Sequence, residues 1–165
     1  MQHDKIKMFD QFGFDLKRGI ADGIILTPNL KFELYDQFGK LKDVREVHNT
    51  VTTAGKEGLA DQALASPSLA KPGWLEVGTG TPSATKLGAY ISGSRTALSS
   101  KTRSGAVITM VCTLGVGVGT GAITEAGIFD VVTQNTVNMW VSASFSVINK
   151  AAGDSMTVTW TLTVG

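Results

Sequence analysis

The C-terminal end of the chain alternates strictly between apolar and hydroxyl side chains. Met156, Val158, Trp160, Leu162 and Val164 are each separated from the next by a threonine. Because successive side chains of a strand point to opposite faces, this period predicts a β-strand with one face in the core.

Residues 139–147 predict a second strand of the same kind. Trp140 and three serines form its polar-side positions, and its predicted core face is Met139, Val141, Ala143, Phe145 and Val147. Turn-forming residues at 149–154 separate it from the C-terminal strand, so we expect the two strands to pair directly or to lie close together in one sandwich. Because Trp140 lies opposite the predicted core face, we expect it to be an anchor for a partner.

Several shorter strands and one helix precede these two segments. A helix is predicted over residues 54–65, capped by Thr53, with a buried stripe of Leu59, Ala60, Ala63 and Leu64. Residues 106–114 are apolar on both faces and predict a strand near the centre of a sheet. The other strands are predicted at 30–35 and 41–49, which form a hairpin through the turn 36–39, and at 74–77 and 123–129.

This order of elements predicts an all-β, mainly antiparallel fold. Short strands separated by turns favour a β-sandwich or jelly-roll-like single domain with one short helix and an extended N-terminal arm. We assign residues 1–29 to the arm and residues 30–165 to the body, whose main strands occupy 74–164.

The N-terminal arm is unusually apolar for a solvated tail. It contains eight large apolar residues interrupted by glycines, and neither helical nor strand periodicity is clear. Since burial of each such side chain is worth about 1.5–3 kcal/mol, we expect the arm to dock, either on its own body or on another chain. The residues expected at a partner interface are Phe9, Phe12, Phe14, Ile24 and Ile25, together with Trp140.

Composition narrows the possible chemistry. The formal net charge is +1, and only four of the 29 charged side chains lie in residues 104–165. We therefore expect no nucleic-acid partner, which would require a basic surface, and no membrane partner, because no apolar run is long enough to span a bilayer. Cys112 is the only cysteine, and His3 and His48 are the only histidines, so we expect no metal, no cofactor and no catalytic residue.

Two glycine-rich segments and two carboxylates are the remaining candidates for a nucleotide, phosphate or catalytic site. The run 115–121 loosely fits a dinucleotide fingerprint but has no room for the required helix behind it, so we expect a loop. Residues 78–82 lack the Gly-Lys-Ser/Thr ending of a phosphate loop, so we expect a turn after the strand 74–77. Glu125 and Asp130 could serve a glycosidase, but we expect Glu125 to hold a turn through backbone hydrogen bonds or to pair with Arg95.

Three segments give the chain a resemblance to small virion proteins of tailed bacteriophages. They read WLEVGTGTP at 74–82, AITEAGIFD at 122–130 and FSVINKAAGDSMTVTWTLTV at 145–164. The second segment is the most specific of the three. With the hairpin and helix included, the resemblance covers about residues 30–165 and leaves the arm outside it.

The resemblance implies assembly rather than catalysis. Proteins of this group are β-sandwich or jelly-roll-like virion components, often trimeric, that act as capsid decoration, head-fibre or tail proteins. We expect a non-enzymatic capsid decoration (cement) protein that binds the major capsid protein on the exterior of the head as a homotrimer. The alternative is a head-fibre or tail component that takes part in host attachment.

Overall fold

The computed structural model describes residues 25–165, which form ten strands and one α-helix. In chain order these are β1 Leu26–Tyr35, β2 Leu41–His48, β3 Thr50–Val51, α1 Thr53–Asp61, β4 Trp74–Gly78, β5 Thr96–Ala97, β6 Ser100–Ser104, β7 Val107–Leu114, β8 Gly121–Phe129, β9 Met139–Lys150 and β10 Ser155–Val164. The predicted all-β fold with one short helix is confirmed.

The strands form two five-stranded sheets with antiparallel pairing. The first sheet has the order β2-β1-β10-β7-β6, and the second has the order β3-β9-β8-β4-β5. The C-terminal strands β9 and β10 lie in opposite sheets, so they share a sandwich but do not pair. The central strand of the first sheet is β10, whereas β7, expected near the centre, lies between β10 and the edge strand β6.

The core lies between the two sheets. As the alternation predicts, Met156, Val158, Trp160 and Leu162 of β10 are all buried, while Val164 at the end of the strand is half-buried. Matching side chains come from the second sheet, because its strands also turn alternate residues inward. The buried residues of the second sheet in this core are Val51, Leu75, Val77, Ile123, Ala126, Ile128, Val141, Ala143 and Ile148.

The predicted core face of β9 is correct only for the first part of the strand. Ile123 pairs with Ile148, but Glu125, two residues further along β8, pairs with Ser144, four residues back along β9. This bulge changes the alternation, since extra residues in one strand turn later side chains to the other face. Val147 is therefore 42% exposed, whereas Ile148 and Lys150 are buried.

The body begins earlier than the pattern predicts. Strand β1 starts at Leu26, which pairs with Val164, and Ile25 exchanges backbone hydrogen bonds with Gly165. Residues 26–29, assigned to the arm from the sequence, thus belong to the first sheet. The described part of the chain has its two ends side by side at one end of the sandwich.

Candidate functional site

Two of the three segments that carry the resemblance, 74–82 and 122–130, meet at the carboxylate of Glu125. Its Oε1 accepts hydrogen bonds from the backbone nitrogens of Gly80 at 3.0 Å and Ala89 at 2.7 Å, and its Oε2 accepts one from Gly88 at 2.8 Å. The neighbouring Thr124 hydroxyl donates to the Gly80 carbonyl at 2.8 Å. We call these contacts the Glu125 cluster. They fix the loop after β4 over the second sheet, as expected from the sequence.

Glycines are required around this carboxylate because the main chain approaches it closely. A Cβ atom on Gly80 would lie 2.7 Å from the Ala89 nitrogen and 3.0 Å from Glu125 Oε1. A Cβ on Gly78 would collide with the Ala89 carbonyl and the Glu125 carboxylate. The glycines of the 78–82 segment therefore make room for a buried acid, and no phosphate needs to be invoked.

Arg95 pairs with Glu76 rather than with Glu125, so that alternative was wrong. Arg95 Nη2 lies 2.9 Å from Glu76 Oε2, and the two side chains are 2% and 1% exposed. Gln134 donates to the other Glu76 oxygen at 2.8 Å, and the Arg95 guanidinium lies 3.7 Å from the Phe129 ring centroid. A buried pair of this kind needs such additional partners to offset its desolvation. The sequence contained no motif for this cluster.

Glu125 and Asp130, the two acids of the glycosidase alternative, do not both have a free carboxylate. Glu125 is fully buried and both of its oxygens accept main-chain hydrogen bonds. Burial raises the pKa of Asp130 above its usual value, with Arg95 opposing that change. The glycosidase alternative therefore loses the carboxylate on which it depended.

The remaining candidates from the sequence, Cys112, His48 and the glycine run 115–121, do not form a reactive site with other described residues. Cys112 is buried in the core, and desolvation raises the pKa of its thiol to about 12. His48 is exposed at the end of β2. The glycine run 115–121 connects β7 to β8, with positive φ at Gly117, Gly119 and Gly121, as a loop should. Within residues 25–165, no three His, Cys, Asp or Glu side chains are grouped for a metal ion.

A buried lysine closes the turn between β9 and β10. Lys150 donates to the Gly115 and Asp154 carbonyls at 2.9 and 2.7 Å, and desolvation lowers its pKa. The Asp154 carboxylate accepts from Lys42 at 2.6 Å and from the Ala151 nitrogen at 2.9 Å. The hydrogen bond from Lys42 is the main reason that the pKa of Asp154 lies below its usual value.

The helix α1 packs on the body by a face that the sequence did not predict. The helix ends at Asp61 and is capped by Thr52, whose hydroxyl accepts from the Gly55 nitrogen at 3.1 Å. Its buried residues are Gly55 and Gly58, whose Cα atoms face Trp140. The predicted buried stripe was wrong, because Leu59 is half-buried and Ala60, Ala63 and Leu64 are exposed.

Trp140 is therefore not available as a partner anchor. Its indole is 6% exposed and lies under α1, where the absence of side chains at Gly55 and Gly58 lets the helix approach the strand. The sequence correctly placed Trp140 opposite the core face of its strand. It did not show that the chain's own helix covers that face.

The uncovered stripe of α1 lines an apolar groove of about 860 Å³. We call this the α1 groove. Helix α1 contributes Leu59, Ala60 and Ala63 to its lining, and the paired ends of β1 and β10 contribute Leu26, Pro28 and Val164. The remaining lining residues are Asn49, Thr50, Val51 and Lys56, so the groove also contains polar groups and a lysine. Clefts that hold small organic ligands have volumes of about 300–1,000 Å³, so the α1 groove has room for several side chains.

The predicted arm residues are only partly within the described chain. Phe9, Phe12, Phe14 and Ile24 lie outside residues 25–165. Ile25 is described, and its side chain is 66% exposed beside the α1 groove. Its neighbour Leu26 forms part of the groove wall, so the preceding segment joins the body at this site.

A second, more polar groove of about 550 Å³ adjoins the α1 groove and shares Asn49, Thr50, Val51 and Lys56 with it. Both polar atoms of the Asn49 side chain are buried without a hydrogen-bond partner within residues 25–165. His48 and Lys56 also contribute to the lining, and its hydroxyl residues are Thr50, Thr52, Thr53, Thr81, Ser83, Ser142 and Ser144. We call this the hydroxyl groove.

Comparison with known proteins adds no identification. No protein-family model, curated protein or solved structure matches this chain. Across residues 25–165, α1 is too short and too polar to qualify as a membrane-spanning helix, and no other candidate span is found.

Proposed function

We propose that this chain is a non-enzymatic structural protein of a tailed-phage virion, a decoration protein that binds the major capsid protein on the outside of the head. The Glu125 cluster is the observation that carries the proposal. Two of the three segments that carry the resemblance contact each other there, and their acid, hydroxyl and glycines are used to build the fold. These residues are therefore not available for chemistry, and we propose that the protein acts through its surface contacts with partners.

In the proposed mechanism the protein stabilises the head by binding across its repeating surface, without any chemical reaction. A two-sheet body held by buried clusters is a rigid unit, and 24 residues precede it in which large apolar side chains alternate with eight charged ones. Several such units held together bind a repeating lattice by avidity, so that no single contact has to be strong. We propose a homotrimer, because one N-terminal segment and one surface that receives it in each chain allow a closed ring.

The test is to locate the chain in the particle. Virions from a phage strain in which its gene is deleted would be mixed with purified full-length protein and examined by electron cryomicroscopy. We expect added density on the outer head surface and a higher temperature of DNA release. Folded protein that adds no density to the particle and leaves that temperature unchanged would overturn the proposal.

The hydroxyl groove favours one second candidate, a head-fibre or tail component that contacts host glycans. Its neutral hydroxyls and the unpartnered Asn49 amide suit the hydroxyl groups of a sugar. Density on the tail or on fibres in the same experiment would favour this candidate. Glycan-array binding that is lost in Asn49→Ala and kept in Asn29→Ala would support it directly.

A further inference from the structure

Strand β3 leaves one side of its main chain unpaired within residues 25–165. It is an edge strand of the second sheet and pairs there with β9, where Val51 lies opposite Val141. One residue further along, the Thr52 nitrogen donates to the Trp140 carbonyl at 3.0 Å. Because antiparallel pairs alternate between bonded and non-bonded, the main-chain N–H and C=O of Val51 point away from β9.

Buried polar groups therefore lack partners at this edge. Val51 is 8% exposed, and its N–H and C=O pair with no other strand of the described chain. The nitrogen and oxygen of the Asn49 side chain are also buried without a partner among residues 25–165. Buried main-chain groups are almost always hydrogen-bonded, because an unpaired one is costly. An extended polypeptide carries the alternating N–H and C=O groups that would satisfy this edge.

The α1 groove gives such a polypeptide room beside β3. Val51 and Asn49 both line the groove, and its apolar surface includes Leu59 on α1 and Leu26 on β1. Among the described residues of the lining, Lys56 is the only charged one. A segment that fits this surface would be extended and would bring apolar side chains and an acidic group.

Residues 19–24 of this chain have that composition. They read GIADGI, which supplies two isoleucines for the apolar surface and Asp22 for Lys56. They lead directly into Ile25, which is held by backbone hydrogen bonds at the end of the first sheet, and then into Leu26 in the lining of the groove. Six extended residues span about 20 Å, so the segment is long enough to lie along the two-residue strand β3.

We propose that residues 19–24 fold back into the α1 groove of their own chain and pair with the free edge of β3. The tether favours the same chain over a second copy, because a segment joined at the rim of the groove has an effective concentration of about 1 mM there. The inference does not depend on the proposed virion role. It leaves residues 1–18, with Phe9, Phe12 and Phe14, for the contact between copies in the proposed homotrimer.

Cross-linking within one chain tests the position of the segment. Full-length Ile20→Cys/Ala63→Cys protein would be treated with a short bismaleimide, and we expect a product of monomer mass whose yield does not change on dilution. Cys112 is buried and its thiol pKa is about 12, so it should not react. Val116→Cys replaces Ala63→Cys in the control, because Val116 is 69% exposed in the loop at the opposite end of the sandwich.

A mixture of two singly substituted chains separates the two possible sources of the segment. Tagged Ile20→Cys protein and untagged Ala63→Cys protein would be unfolded, refolded together and treated in the same way. We expect no heterodimer, and a heterodimer would overturn the proposal because it would show that a second copy supplies the segment. Equal yields of monomer cross-link in the Ala63→Cys and Val116→Cys double variants, or no cross-link in either, would also overturn it.

Hydrogen exchange of the Val51 amide measures the pairing itself. In the full-length protein we expect this amide to be protected, and we expect Ile20→Asp to make it exchange faster by about tenfold or more, because the added strand is lost. The amide of Thr52, which is bonded to Trp140, should stay protected in both proteins. Ile6→Asp, outside the segment, is the matched control and should leave Val51 protected. A Val51 amide that exchanges freely in the unsubstituted chain, or that Ile20→Asp does not affect, would contradict the proposal.

Discussion

At the scale of single residues, buried acids hold loops on the outer face of the second sheet. Glu125 uses main-chain donors, whereas Glu76 uses Arg95 and Gln134. Hydrogen bonds to a charged group are worth more than neutral ones, and an unpaired buried donor is costly. Each acid therefore fixes a loop that contains few apolar anchors.

The isosteric variant Glu125→Gln tests this role. It replaces one carboxylate oxygen with an NH₂ group that cannot accept from the main-chain N–H it faces. We expect the free energy of unfolding to fall by about 1.5–3 kcal/mol in urea titrations. Glu57→Gln is the matched control, since Glu57 is exposed on α1 and its loss should change stability by less than about 0.5 kcal/mol. Equal effects of the two variants would contradict the assigned role.

At the scale of elements, α1 shows how tertiary contact overrides a local pattern. The apolar stripe of the helix predicted which face would be buried, and the prediction was wrong. The reason is steric, because only Gly55 and Gly58 allow the helix to lie directly on Trp140. Close approach over a large aromatic ring outweighs the burial of Ala60, Ala63 and Leu64, while Leu59 keeps a partial contact with the core.

Gly58→Ala separates helix propensity from packing. Propensity alone favours alanine over glycine by about 1 kcal/mol within a helix. Here the new methyl group would overlap the Trp140 indole, and overpacking of this kind costs about 1–3 kcal/mol. We expect a lower melting temperature and an altered Trp140 fluorescence. Gly115→Ala, with open space around its Cα and no positive φ, should leave both unchanged. A stabilised Gly58→Ala protein would show that the helix does not pack this way.

The buried face of a strand was predictable where the two-residue alternation continues unbroken along it. The alternation of β10 correctly predicted its four buried core residues, because both of its neighbours pair with it in regular register. The alternation of β9 failed after Phe145, since a bulge depends on the partner strand β8 and leaves no mark in the sequence of β9 alone.

The candidate site was predictable only in part. Glu125 was correctly predicted to hold a turn, because an acid beside a glycine-rich segment has main-chain donors within reach. The α1 groove and the Glu76–Arg95 pair depend on residues far apart in the chain, which only the tertiary fold brings together. Trp140 was placed on the correct face, but its cover came from a helix whose packing face was wrongly predicted.

At the scale of the whole molecule, the boundary between residues 1–24 and the described body can be tested. Within residues 25–165, Ile25 and Gly165 close the last pair of the first sheet. A chain that starts at Ile25 therefore keeps every described pair of that sheet. The boundary at 29 that the sequence predicted would instead remove the first four residues of β1.

Two truncated chains test this boundary. A chain of residues 25–165 should be monomeric by light scattering and should unfold in one cooperative transition. A chain of residues 30–165 loses the pairs of Leu26 with Val164 and of Thr27 with Thr163, among others, and uncovers Leu162. Because lost ladder hydrogen bonds cost about 1 kcal/mol each, we expect its free energy of unfolding to be lower by about 2–3 kcal/mol. Since residues 1–24 are missing from both chains, the difference in stability reports β1 alone. Equal stabilities would place the start of the body at residue 30, whereas failure of the longer chain to fold would mean that the body needs residues 1–24.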